Sequence, residues 1–244
     1  MNELRAYTLG SFIRTSWGIY GREWLTLFSI YIIPLLAVHI VDALLKHAFG
    51  PVVYVIIAMA ALQLLASMLV TFPATVAVSE ICLGIKPSVR RSYQRGFAQP
   101  GRALGTYLLA FAIIVLGLIA LLVPGVVFSL WYTLIGPVVV LEGLSGRAAL
   151  RRSRGLGKGY YLRNLGVLWM VMLVMLLAAM VLGGIVGLTG YLAGVNPKVL
   201  DFIGGLAGLL VAPTVPIFMV LLYYDMRVRK EGYGAAQLAD DLRF

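Results

Sequence analysis

Three acids recur in a pattern with chemical meaning. Phe72-Pro73 leads through an apolar run to Glu80 and on to Arg90-Arg91-Ser92; Gly136-Pro137 leads to Glu142 and Arg151-Arg152-Ser153; Val215-Pro216 leads to Asp225 and then Arg227, Arg229 and Lys230. A carboxylate closing an apolar helix sits at the negative end of the helix macrodipole, which costs ~0.3 to 1 kcal/mol unless a cation answers it. Either the arginines that follow pair with these acids and pin the helix ends, or Glu80, Glu142 and Asp225 converge on a carboxylate site that couples a cation or proton to transport.

A second constellation is basic. Between Gly143 and Asn164, Arg147, Arg151, Arg154 and Lys158 are spaced by four, three and four residues and share one helical face. Four to eight basic residues beside a membrane span attract anionic lipid at ~1 kcal/mol each near the surface. Arg151, Arg152, Arg154 and Lys158 are therefore the candidate lipid head-group residues, with plain topology determination as the alternative. Gly155, Gly157 and Gly159 weaken a continuous helix here and leave room for a loop that contacts phosphate.

Other chemistry is thin. His39, Asp42, Lys46 and His47 share a face at the external end of the first apolar run; an imidazole and a carboxylate there could bind a metal or relay a proton, but two potential ligands beside a competing lysine read better as snorkelling and a local salt bridge. One cysteine, Cys82, and two histidines cannot supply a Cys/His zinc site. No nucleophile elbow, Walker loop, His-Glu-x-x-His or dinucleotide fingerprint is present. The reading is a non-enzyme without metal or cofactor. A basic pI near 9.9 is explained by the membrane rather than by nucleic acid, because aromatic and basic residues do not interleave on a polar scaffold.

The elements that must position these residues are membrane spans. Of 244 residues 61% are hydrophobic and 12% charged, against ~45 to 50% and ~25% in a soluble domain. Six stretches approach the ~20 apolar residues that a spanning helix needs: Trp24 to Leu45, Pro51 to Leu83, Leu104 to Val123, Val126 to Leu141, Leu165 to Leu192 and Val199 to Tyr224. A kink is expected at Pro73, and Pro124-Gly125 is expected to join the third and fourth spans as a tight hairpin. Eighteen of the twenty Lys and Arg residues fall in the leader, the second and fourth connections and the tail. This asymmetry places both termini in the cytoplasm.

The fold expectation is all-α: a polytopic membrane protein of about six transmembrane helices with interfacial amphipathic helices. Residues 1–244 form one integral membrane domain, with an interfacial leader at 1–23, a six-helix bundle at 24–224 and a cytoplasmic tail at 225–244. The Arg-Arg-Ser triplets lie 61 residues apart, and with the prolines and acids they suggest three repeated helical hairpins. Gly183, Gly187, Gly190 and Gly194, with Gly204 and Gly208, predict tight packing of the last two spans. Pro213 and Pro216 interrupt the sixth.

Ala149-Leu150-Arg151-Arg152-Ser153-Arg154 and Leu222-Tyr223-Tyr224-Asp225-Met226-Arg227-Val228-Arg229-Lys230-Glu231-Gly232-Tyr233 resemble the membrane domain found in some glycerophosphodiester phosphodiesterases and in many stand-alone bacterial proteins. The resemblance implies a polytopic bacterial inner-membrane module without the catalytic barrel and without a reaction of its own. The functional expectation is a non-catalytic protein acting by lipid or protein interaction at the cytoplasmic leaflet, with membrane lipids, anionic ones above all, as partners. A small secondary transporter coupled through the three acids and a membrane scaffold subunit are the alternatives.

Overall fold

The computed structural model describes residues 7–49, 53–234 and 237, and every regular element among them is a helix. In chain order these are α1 (Leu9–Phe49), α2 (Val53–Cys82), α3 (Val89–Gly96), α4 (Pro100–Ala120), α5 (Leu122–Tyr132), α6 (Ile135–Leu141), α7 (Gly146–Gly157), α8 (Tyr161–Leu192), α9 (Pro197–Gly208) and α10 (Thr214–Glu231). Five stretches are long and apolar enough to cross a bilayer: Gly10–Asp42, Leu65–Cys82, Pro100–Ala120, Val123–Leu141 and Tyr161–Leu192.

The leader and the first span form one helix, α1, bent at Glu23, whose φ of −124° and ψ of 24° leave the helical region. Before the bend Phe12, Ser16 and Ile19 are buried while Arg14, Trp17 and Arg22 are exposed, the one-sided pattern expected of an amphipathic segment. The hairpin between α4 and α5 turns on one extended residue, Leu121 (φ −163°, ψ 143°). Pro124 falls in the first turn of α5, where its missing N–H would have had no partner in any case. A Cβ on Gly117 would lie 3.1 Å from the Gly125 Cα, so the two backbones meet without side chains between them.

The expected sixth crossing, Val199 to Tyr224, is not one helix. After α9 the chain runs through i→i+3 turns, with Leu209, Leu210 and Val211 donating to Leu206, Ala207 and Gly208, and α10 starts anew behind Pro213. A proline with no N–H to donate, placed just after Gly208, accounts for the break. The fourth crossing is also divided, into α5 and α6, at Thr133-Leu134.

The core gathers around α2 and α10. From Phe72 to Glu80 every α2 residue is buried, as is every α10 residue from Val220 to Met226. By contrast, α8 carries Trp169, Met172, Leu176, Met180, Ile185 and Leu188 exposed. The glycine stripe does not close the last two spans together as expected. Nothing approaches a Cβ position at Gly183, Gly187, Gly204 or Gly208, and the close contact of the stripe is Gly190 against Leu200. With α9 cut short, little helix remains opposite α8 for the stripe to pack on.

Candidate functional site

The three acids are held by arginines. Glu80, in the last turn of α2 and 1% exposed, receives a two-pronged contact from Arg91 of α3: Nε to Oε1 at 2.6 Å and Nη2 to Oε2 at 3.1 Å. Arg95 adds a longer contact at 3.5 Å. Glu142, the residue that ends α6, accepts from Arg152 Nε of α7 at 2.7 Å and from the Tyr223 hydroxyl at 2.8 Å. Asp225, fully buried, accepts from Arg163 at 2.8 Å, from Arg229 at 3.1 Å and from the backbone N–H of Tyr7 at 2.6 Å. Arg163 and Arg229 also donate to the Tyr7 carbonyl.

The first two clamps repeat one geometry. Acid and arginine are separated by 11 residues in one and 10 in the other, and the serine after each arginine, Ser92 and Ser153, is buried. The third departs from it. Asp225 does not close its helix, because α10 continues to Glu231 and stops at Gly232, which takes the left-handed φ of 62°. The acid thus finds Arg229 one turn on along the same helix and Arg163 at the start of α8.

Tyr223 and Tyr224, adjacent and fully buried on α10, join the clamps. Tyr223 reaches Glu142, and Tyr224 donates to Ser79 Oγ at 2.8 Å, next to Glu80. With Asp225 following, successive side chains of one helix reach Glu142, the Ser79 hydroxyl next to Glu80 in sequence, and the Asp225 clamp itself. Sequence reasoning missed these hydroxyls, and also Arg163. Their partners lie 81, 145 and 62 residues away, and no local spacing encodes that.

The head-group candidates do not form one cradle. Arg151 and Lys158 are exposed. Arg154 lies over the Trp131 ring with its guanidinium carbon 3.7 Å from the centroid. Arg152 is occupied, bridging Glu142 and Glu231. Those hydrogen bonds raise the Arg152 pKa, the contact with Glu231 contributing most, and in return the Glu231 carboxyl is held below its ordinary 4.5. Lys230, which donates to the Gly155 carbonyl, has its pKa lowered by burial and then by the Lys158 charge.

The comparisons with known proteins add nothing to this geometry. The chain matches no family model, no curated protein and no solved structure.

The His39 ring lies against Gly205 of α9, where a Cβ would come within 3.0 Å of it, and the side chains of Lys46 and His47 lie outside the described residues. Among the described residues no three His, Cys, Asp or Glu side chains converge. A cavity of about 400 Å³ opens beside the first two clamps, between α2, α3, α4, α6 and the 143–145 loop. Its arginines, Arg95 and Arg102, were absent from the sequence-derived candidates.

Proposed function

We propose that this chain is a non-catalytic, multi-pass protein of the cytoplasmic membrane that works by engaging anionic lipid at its basic end. In this reading both termini face the cytoplasm, the broken pair α9 and α10 completes a sixth crossing, and the chain is a relative of the membrane domain it resembles in sequence. The observation that carries it is the cation surplus on α7. Once Glu80, Glu142, Asp225 and Glu231 have taken their arginines, Arg147, Arg151 and Lys158 remain exposed with no acid paired to them among the described residues. Exposed cations beside exposed apolar helices suit a surface where lipid phosphates meet acyl chains.

The same clamps weigh against the carrier reading. A carboxylate already held by one or two guanidinium groups has its charge answered and its lone pairs committed, so binding a transported cation would first require breaking these pairs. Lipids retained by the protein purified in mild detergent test the proposal, measured by mass spectrometry beside an Arg151→Ala, Arg154→Ala variant. Enrichment of anionic lipid over the bulk membrane, lost in the variant, is the expected result. A bulk-like profile in both proteins overturns it, and cation-dependent solute flux in vesicles that Glu142→Gln abolishes would put the carrier in its place.

A further inference from the structure

The cavity between α3, α4 and α6 lies apart from the α7 surface and is walled with unusual firmness. On one side α3 is seated directly on α2: a Cβ at Gly96 would stand 2.9 Å from the backbone of Phe72 and Pro73. Only a bare backbone fits there. On the other side the Thr106 hydroxyl of α4 accepts from the Gly146 N–H at 2.7 Å. The loop it holds turns through two left-handed glycines, Gly143 and Gly146, at φ 64° and 57°. The cavity is thus preformed, and its about 400 Å³ falls within the ~300 to 1,000 Å³ typical of small-ligand sites.

Its lining is divided by chemistry. Val76, Val140 and Leu144 contribute apolar surface, while Gln94, Arg95, Gln99 and Arg102 contribute two guanidinium groups and two amides. Arg102 is exposed and, among the described residues, reaches the Gln99 amide oxygen alone, at 3.1 Å. Arg95 is the second, more distant arginine on Glu80, whose charge Arg91 already answers. Glu142 borders the cavity but is neutralised by Arg152. Over the charged residues that line the cavity, Arg95, Arg102 and Glu142, the formal charge is +1. Guanidinium forks match the geometry of phosphate oxygens, and apolar surface beside them suits the carbon skeleton that a lipid phosphate carries.

We infer that this cavity is a binding site for the phosphate of an anionic amphiphile, held by Arg102 and Arg95 with its hydrocarbon against the α2 and α6 lining. The inference deepens the proposed function and rests on it for the source of the ligand: to the general attraction of anionic lipid by the α7 surface it adds a separate, saturable site between α3, α4 and α6. Arg102 is the residue to test, because its exposed side chain makes no buried contact whose loss would unfold the protein.

Native mass spectrometry of the full chain in detergent is the experiment, titrating dioctanoyl phosphatidic acid, dioctanoyl phosphatidylcholine and inorganic phosphate. Saturable binding of the phosphatidic acid is expected, with affinity at least about tenfold weaker in Arg102→Gln, the loss of one charge-assisted contact, and unchanged at this saturable site in Arg151→Gln, Arg154→Gln. Phosphatidylcholine should bind more weakly to all three proteins. Equal displacement by inorganic phosphate would keep the site and assign it to free phosphate. Binding that survives Arg102→Gln but is lost in the α7 variant overturns the cavity site and leaves the α7 reading intact. Equal binding of the two lipids to every protein overturns both.

Discussion

Helices α8 and α10 invert the usual relation between apolarity and burial. In α8, an apolar 32-residue helix, 11% of the most hydropathic stretch is buried. In α10, which carries two tyrosines, two acids and three basic residues, eleven residues are buried. In water this would be backwards. In a bilayer, lipid chains solvate leucine as well as protein does, so apolar surface has no reason to seek the core. Groups that lipid cannot satisfy do have a reason, and Tyr223, Tyr224 and Asp225 find partners only inside.

The contrast can be broken most directly at Asp225. Asp225→Ala leaves Arg163 and Arg229 without their acid and the Tyr7 N–H without its acceptor, and removing one partner of a buried pair costs ~3 to 5 kcal/mol. Thermal unfolding of the purified protein should record the largest drop of any single change, and a loss no greater than that of an α8 surface variant would remove the distinction between the two helices. Next is Gly96→Val at the α2 contact. Its side chain would collide with backbone that cannot move aside, so a loss of ~1 to 3 kcal/mol is expected, together with loss of phosphatidic acid binding in the cavity.

Tyr224→Phe should cost about 1 kcal/mol, the net worth of one hydrogen bond. Paired with Ser79→Ala it should show non-additivity in a double-mutant cycle, which additive losses would contradict. Acid pH gives a smaller effect. Because Arg152 and Arg227 hold the Glu231 carboxyl below 4.5, that group adds stability above its unfolded value and loses it as pH falls through the depressed folded value. Melting temperature should therefore fall in that window for the wild type, and Arg152→Gln should flatten this component of the curve. Smallest of all is Gly187→Leu on α8, expected within about 0.5 kcal/mol of wild type. A large loss there would reveal a partner against the stripe.

Much of this arrangement could be read before folding. The acids and the arginines that answer them are close in sequence, so macrodipole and charge considerations identified Glu80 with the α3 basic segment and Glu142 with α7. Helix number was less legible: window hydropathy carried the sixth span across Leu209–Pro213, where the lack of a proline N–H breaks it. The glycine stripe misled because apolar periodicity carries no information about facing when every face suits lipid. Arg102 escaped notice because its importance depends on Gly96 and Gly143, which shape the walls around it and have no charge to attract attention.

The tie between Tyr7 and Asp225 spans 218 residues. At roughly 5 to 20 residues per second of synthesis, the start of α1 waits about 10 to 45 s before its acceptor exists. Until α10 emerges, neither Arg163 nor the Tyr7 backbone has this carboxylate to meet. Of the described helices, the last made is therefore the one that locks the first.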